Sequence, residues 1–254
     1  LVGLWGIGGL FFLITASYVL TVAALFRMET RGHRPDSGSS TLLQGLMQGF
    51  RYILGQRVIA SVITLGMVVG VFGISFETVL PVIADKVITG GVDTYGRLLL
   101  SGGIGGHIAT IFVVVLGTRV HHARYYIVSG VALGIGLLFL ASVTWFPGAA
   151  IVIGLIGACH VIFMTMGTTM LQSLTEDEFR GRVMSIQQFT WGAMALGGLL
   201  MGTLGQEVGV PFALRFGGIV VVLATVFAAL FALRRVLVQD SSTPNSMVSP
   251  NKSG

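Results

Sequence analysis

The chain has 254 residues, of which 54% are hydrophobic and only 10% are charged. A soluble globular domain carries about 25% charged residues, so this composition excludes an ordinary soluble enzyme. The formal net charge is +5 at pH 7, but its distribution follows a membrane pattern, and we expect no nucleic-acid partner. The single cysteine, Cys159, excludes an internal disulfide and any cysteine-based metal cluster.

Long apolar segments dominate the chain from its first residue. A helix needs about 20 apolar residues to cross the hydrocarbon core of a bilayer. The segments that meet this length are, in chain order, 1–26, 58–84, 95–117, 125–146, 148–171, 183–205 and 211–233. Aromatic residues near several ends, such as Trp5 and Trp145, are typical of membrane interfaces. The sequence therefore predicts an all-α fold, a polytopic helix bundle embedded in a lipid bilayer.

Basic residues alternate between the loops that connect these spans. One set of loops holds twelve of them, and the opposite set holds only three, Lys86, Arg97 and Arg215. The twelve are Arg27, Arg31, Arg34, Arg51, Arg57, Arg119, Arg124, Arg180, Arg182, Arg234, Arg235 and Lys252. Because basic loops stay in the cytoplasm, the first span is predicted to run inward and the C-terminus to be cytoplasmic.

The order of these segments predicts the organisation of the chain. It begins at Leu1 inside an apolar run, without the basic head of a signal peptide, so we expect a fragment whose start lies upstream. The predicted parts are a span over 1–26, a cytoplasmic linker over 27–57, six spans over 58–235 and a disordered cytoplasmic tail over 236–254. Within the linker, apolar residues at helical spacing over 41–54 predict an amphipathic helix on the membrane face.

Apart from Arg97 and Arg215, which lie just inside span starts, three ionisable side chains fall in the interior of predicted spans, where each costs roughly 2.5–3.5 kcal/mol on insertion scales. Glu77 lies roughly 10 Å below the outer end of its span, and its carboxylate could titrate with transport or bind a cationic group. The alternative is an interfacial acid paired with Lys86. His107 and His160 lie near mid-span and could relay protons or bind substrate. Their alternative is a neutral ring bonded to a backbone carbonyl or a hydroxyl, and no third ligand is spaced for a metal site.

Further polar residues extend this predicted pathway. Gln172 lies on the same helix face as His160, which is typical of a polar wall. Gln187, Gln188 and Trp191 form a second polar and aromatic patch early in the following span. We predict that these residues line the route of a substrate or a proton.

Two local signals indicate structural roles. Thr175 followed by Glu178 three residues later predicts a capping box at the start of a helix. Glycines four residues apart in apolar segments, such as Gly130 and Gly134, predict close packing between helices.

Four stretches carry a resemblance to a known family. They are LLQGLMQGFRYILGQRVI at 42–59, VLPVIADKVITGGVDTYGRLLLSGGIGG at 79–106, TTMLQSLTEDEFRGRVMSIQQF at 168–189 and GGLLMGTLGQEVGVPFAL at 197–214. They resemble the major facilitator superfamily, and within it the branch of bacterial exporters that includes the enterobactin exporter and macrolide efflux proteins. The resemblance implies that the seven spans are helices six to twelve of a twelve-helix transporter, whose N-terminal half this chain lacks.

That resemblance also implies a function. It indicates a proton-coupled exporter of small siderophore-like or drug-like molecules in the bacterial inner membrane, which works by alternating access and needs no cofactor. In the resembled fold, the helices that carry Glu77, His107 and His160 face the central cavity. A cytoplasmic gate is implied at Arg119, Arg124, Glu176, Arg180 and Arg182. The gating motif is degenerate, because LGTRVHHAR has Thr118 where aspartate is typical.

Other classes of membrane protein fit the sequence less well. A seven-helix receptor or photoreceptor would also have its N-terminus outside, but a retinal protein needs a lysine in its last span. The lysines of this chain are Lys86 and Lys252, and neither lies there. An intramembrane enzyme would need a motif such as HExxH or GxSxG, and the sequence contains neither. A non-transporting membrane protein stays open as the alternative.

Overall fold

The computed structural model describes residues 2–27, 42–88, 91–116 and 121–232, and it contains no strand within those ranges. The chain divides into two units, Leu1–Thr41 and Leu42–Gly254. The first contains α1, Val2–Phe26. The second contains α2 Leu42–Gly55, α3 Arg57–Val68, α4 Leu80–Val82, α5 Gly91–Leu116, α6 His122–Leu140, α7 Phe146–Leu174, α8 Asp177–Glu207 and α9 Val210–Phe231. The predicted all-α fold is confirmed.

Several of these helices are suited to a bilayer. The stretches of the described chain that are long and apolar enough to cross a membrane are Arg57–Asp85, Val92–Val115, His122–Leu140, Phe146–Leu174 and Val210–Phe231. Two predicted spans are not among them. Helix α1 has 25 residues, of which the stretch Phe11–Phe26 is apolar within the described part of the chain. Helix α8 is long enough but less apolar, because it carries polar residues such as Gln187 and Gln188. A polytopic helical bundle is confirmed, and the two further crossings stay predictions.

Helix α6 of the second unit packs between α7 and α9. Tyr126 is almost wholly buried, and its ring stacks on Phe163 of α7 with 4.3 Å between the ring centroids. Its hydroxyl donates a hydrogen bond to the carbonyl oxygen of Val62 in α3, at 2.9 Å. A buried hydroxyl without a partner would be costly, and this bond satisfies it. Tyr126 therefore connects α3, α6 and α7 without leaving its hydroxyl unpaired.

Glycines allow the closest approaches between helices, as the sequence predicts. A Cβ atom on Gly134 would lie 2.9 Å from the carbonyl oxygen of Gly218 in α9, and one on Gly130 would lie 3.0 Å from Thr225. On α5, a Cβ atom on Gly105 would overlap the carbonyl oxygen of Gly154 in α7. Any side chain at these positions would force the helices apart.

The span after α3 is irregular, which the sequence did not indicate. A single regular helix was predicted over 58–84, but the backbone changes to π-helix at Val69–Ile74 and to 3₁₀-helix at Ser75–Thr78. After α4 it becomes π-helix again at Ile83–Val87. Residues 69–87 are called the irregular segment below. Non-helical backbone at membrane depth is tolerated only where it is buried in protein or lines a cavity, and π-turns occur frequently at functional sites.

The predicted capping box at the start of α8 is wrong. The residue that precedes the helix is Glu176, and its side chain makes no cap hydrogen bond. Thr175 instead ends α7, because its amide still donates to the carbonyl of Leu171 at 3.2 Å. Its side chain is buried there, and its hydroxyl has no hydrogen-bond partner among the described residues.

Candidate functional site

A cavity of about 470 Å³ lies between the irregular segment, α5 and α7. This volume falls within the range of about 300–1,000 Å³ that is usual for small-molecule sites. Most of its lining is apolar or glycine, and the side chains that carry polar atoms are Glu77, His107, Thr110 and His160. An apolar cavity with a few polar groups suits a small, partly hydrophobic molecule.

Glu77 reaches the cavity from the 3₁₀ turn of the irregular segment. The turn is fixed from behind, because the hydroxyl of Ser75 is 3.0 Å from the carbonyl oxygen of Gly70 and 3.2 Å from that of Met194 in α8. The side chain of Glu77 is exposed to the cavity. The side chain of Lys86 lies outside the described residues, so the alternative of a Glu77–Lys86 pair stays a prediction.

His107 lies on the α5 wall and is exposed. Its Nδ1 is 2.8 Å from the carbonyl oxygen of Gly103, one turn earlier. Because a carbonyl only accepts, Nδ1 carries the hydrogen, as the backbone-bonded alternative predicts. This bond also fixes the ring, so that Nε2 is the atom that can accept or release a proton.

His160 lies on the α7 wall of the cavity and is partly buried. Its Nε2 is buried and has no hydrogen-bond partner among the described residues. The predicted alternative, a neutral ring bonded to a backbone carbonyl or a hydroxyl, is therefore not seen at this atom. A buried polar atom without a partner costs roughly 1–3 kcal/mol.

One carboxylate and two imidazoles raise the question of a metal ion. Within the described ranges, no three His, Cys, Asp or Glu side chains are placed to hold one. The three ionisable groups of this cavity come from three separate elements, the irregular segment, α5 and α7.

The other predicted pathway residues lie elsewhere. The side-chain amide of Gln187 donates to the hydroxyl of Thr168 at 3.0 Å, which joins α8 to α7. Gln172, Gln188 and Trp191 are exposed and do not line the cavity. The structure thus brings together Glu77, His107 and His160 from three separate elements, and places the glutamines and Trp191 outside that group.

Three of the five predicted gate residues, Glu176, Arg180 and Arg182, lie at the connection from α7 to α8. The other two lie elsewhere in the chain. Arg119 lies outside the described residues, and Arg124 is exposed at the start of α6. Arg180 forms an ion pair with Asp177, 2.6 Å from Nη2 to Oδ1. Its Nε also donates to the carbonyl oxygen of Gln172 at 3.2 Å, so Arg180 links the end of α7 to the start of α8.

Sequence reasoning missed an aromatic contact beside this group. The ring of Phe179 stacks on Tyr52 of α2 with 4.4 Å between centroids, and the guanidinium carbon of Arg182 lies 5.2 Å from the same ring centroid. The amide of Glu176 lies 3.4 Å from the hydroxyl of Tyr52. The predicted amphipathic helix α2 is therefore attached to the start of α8. Because these residues are far apart in the chain, no local pattern could pair them.

Membrane-length apolar helices around a cavity with a few ionisable side chains form the architecture of a membrane transporter, not of an enzyme. The chain belongs to the transmembrane secretion effector family of the major facilitator superfamily, whose profile matches residues 1–253. The predicted superfamily is confirmed. The narrower branch of enterobactin and macrolide exporters stays a prediction.

Part of the chain is similar in sequence to a bacterial transporter. The chain is 32% identical over 141 residues to the Staphyloferrin A transporter of Staphylococcus aureus (strain NCTC 8325 / PS 47). The similar stretch covers 54% of this chain and 34% of that transporter. The chain thus matches about a third of the length of this relative.

Proposed function

We propose that the chain forms the cavity-bearing half of a proton-coupled exporter of small molecules that works by alternating access. The observation that supports this most strongly is the meeting of Glu77, His107 and His160 in one cavity of about 470 Å³. Each of these residues is costly inside a membrane. Three such residues on three walls of one cavity favour a functional role over separate structural ones.

The cavity chemistry supports a class of substrate. Its lining is mostly apolar, which favours a partly hydrophobic molecule, while Glu77 can bind a cationic group and the two imidazoles can bind hydroxyl or carboxyl groups. The likeness to a Staphyloferrin A transporter favours a siderophore-like molecule. Drug-like compounds are the second class that we propose.

The same three side chains support proton coupling. Glu77 and the two histidines are the titratable groups that line the cavity. The bond from His107 Nδ1 to Gly103 leaves Nε2 directed away from the helix backbone. Proton binding and release at this ring and at Glu77 would change the charge of the cavity between its inward and outward states, which is what coupling requires.

We also propose the arrangement of the whole protein. The chain would supply helices six to twelve, with an N-terminal half as its partner, and the C-terminus would lie in the cytoplasm of a bacterial inner membrane. Residues 27–57 would link the halves, 58–235 would form one half, and 236–254 would form a tail. The gate would use Arg119, Arg124, Glu176, Arg180 and Arg182, whose described members lie at the ends of α6, α7 and α8.

The proposed function can be tested in inverted membrane vesicles that contain the complete gene product. An inside-acidic gradient should drive uptake of a siderophore or antibiotic from a labelled panel, and a protonophore should abolish it. Glu77→Gln and His107→Ala should each lower the initial rate by about 10- to 100-fold, because each removes a charge-assisted hydrogen bond of roughly 1.5–3 kcal/mol.

Glu207→Gln and His121→Ala serve as matched controls, since neither residue lines the cavity. If both cavity variants keep the wild-type rate and pH dependence, the coupling proposal is wrong. Uptake driven only by the opposite gradient would indicate an importer. Binding without transport would favour the alternative, a non-transporting membrane protein.

A further inference from the structure

Gly103 differs from the other glycines of the cavity wall. It lies on α5, it lines the cavity, and it is exposed. A Cβ atom added there would meet nothing within 4 Å. Its neighbours are constrained, because a Cβ atom on Gly102 would lie 3.3 Å from Ile153, and one on Gly106 would lie 3.1 Å from Val161.

Packing therefore explains the neighbouring glycines but not Gly103. Glycine destabilises a helix interior relative to alanine, because it loses more backbone freedom on folding. At Gly105 this cost is necessary, since a side chain there would overlap the backbone of Gly154. At Gly103 no atom of the described residues lies within 4 Å of the missing side chain, and the position lines the cavity.

The position of Gly103 relative to His107 gives this space a use. A helical side chain covers the turn that precedes it, so the ring of His107 lies over Gly103. The 2.8 Å bond between His107 Nδ1 and the Gly103 carbonyl is consistent with this placement. A Cβ atom at position 103 would not touch the ring, but a longer side chain such as leucine would extend into the cavity on the side of α5 that carries His107 and narrow the access to its Nε2.

We infer that Gly103 is a specificity-determining residue, whose missing side chain keeps the cavity open beside His107 and limits the size of the molecule that reaches the ring. The inference rests on the proposed function and deepens it. A substrate with a flat or bulky apolar part lies against the bare backbone at Gly103, while its polar group bonds to His107. Compounds too large for this space are excluded.

The inference can be tested with the variants Gly103→Ala and Gly103→Leu, made in the complete gene product and studied in membranes. Two properties are measured. The first is the rate at which diethyl pyrocarbonate acylates His107, followed by mass spectrometry. We expect Gly103→Leu to slow this reaction on the order of tenfold and Gly103→Ala to slow it less. His121 and His122, at the start of α6, should react at the wild-type rate in every variant.

The second measurement compares export of a smaller and a larger compound, ethidium and erythromycin. Gly103→Leu should lower erythromycin export on the order of tenfold more than ethidium export. Gly96→Leu is the matched control, because Gly96 lies on the same helix, also has open space around its Cα, and does not line the cavity. It should leave both measurements unchanged.

Each outcome decides the question. Wild-type acylation of His107 in Gly103→Leu, or equal loss of both compounds in Gly103→Leu and Gly96→Leu, would overturn the inference. If the wild type exports neither compound while Gly103→Leu still protects His107, the inference about access stands and the exporter proposal fails for these compounds. If Gly103→Leu is as abundant in the membrane as Gly96→Leu, the Gly103→Leu variant folds.

Discussion

Helix α6 and the irregular segment differ in what their polar side chains contact. In α6 every turn is regular, and the hydroxyls of Tyr126 and Ser129 are bonded to the carbonyls of Val62 and Tyr125 at 2.9 and 2.7 Å. In the irregular segment the backbone passes through π- and 3₁₀-helix, and Glu77 is exposed to a cavity. The first region is built for packing, and the second carries polar groups that a ligand can use.

The difference follows from what each region contacts. Tight contacts on two sides of α6, such as Gly134 against Gly218, leave room only for a regular, fully bonded helix. The irregular segment borders a cavity on one side, into which it places the carboxylate of Glu77. Stability should therefore respond most to changes in α6, and transport should respond most to changes in the irregular segment.

Gly134→Ala should have the largest effect on stability. Its Cβ atom would lie 2.7 Å from Val222 and 2.9 Å from the backbone of Gly218, and such overpacking costs about 1–3 kcal/mol. The midpoint of thermal unfolding in detergent measures this loss. Gly192→Ala, where nothing lies within 4 Å, should be neutral or slightly stabilising. Equal midpoints for the two variants would contradict the view that α6 is the packed region.

Tyr126→Phe should have a smaller effect. It keeps the ring that stacks on Phe163 but loses the 2.9 Å hydrogen bond to Val62. The expected loss in free energy of unfolding is about 0.5–1.5 kcal/mol, with no change in export per molecule. Tyr125→Phe is the control, since no hydrogen bond of its hydroxyl occurs among the described residues. A lower export rate at unchanged stability would place Tyr126 in the transport machinery instead.

Ser75→Ala should have the smallest effect on stability. Its single hydroxyl hydrogen is shared between the carbonyls of Gly70 and Met194, so its removal costs below about 1 kcal/mol. We expect a clear fall in the initial rate of export, because the turn that carries Glu77 loses its attachment to α8. Ser185→Ala removes an exposed hydroxyl that bonds within its own helix and should change neither property. An unchanged rate in Ser75→Ala would show that the turn needs no such support.

Hydropathy alone placed most helices closely. The predicted span at 148–171 corresponds to α7, Phe146–Leu174, and the one at 211–233 corresponds to α9, Val210–Phe231. The same method failed at 58–84, where it predicted a regular helix. Apolar composition is equally compatible with α-, π- and 3₁₀-turns, and the choice depends on contacts with α8 such as that of Ser75 with Met194.

The candidate site was predictable only in part. Glu77, His107 and His160 could be identified one by one, because an ionisable side chain in a span is rare and costly. Gln187 was assigned to the pathway as part of a polar and aromatic patch, and the structure shows that it bonds to Thr168 and does not line the cavity. Polarity in a span shows that a residue needs a partner, and it does not show whether that partner is a substrate or a neighbouring helix.

The sequence by itself determined that this chain forms apolar helices of membrane length, because hydrocarbon demands long runs of apolar residues and these can be counted locally. Its place among transporters came from the resemblance of stretches such as 168–189. Only the tertiary structure decided that Glu77, His107 and His160 share a cavity, that Gly103 lines it, and that Tyr52 meets Phe179. These relations depend on which face of each helix packs against which neighbour. That choice is made by contacts between distant parts of the chain, which no local pattern contains.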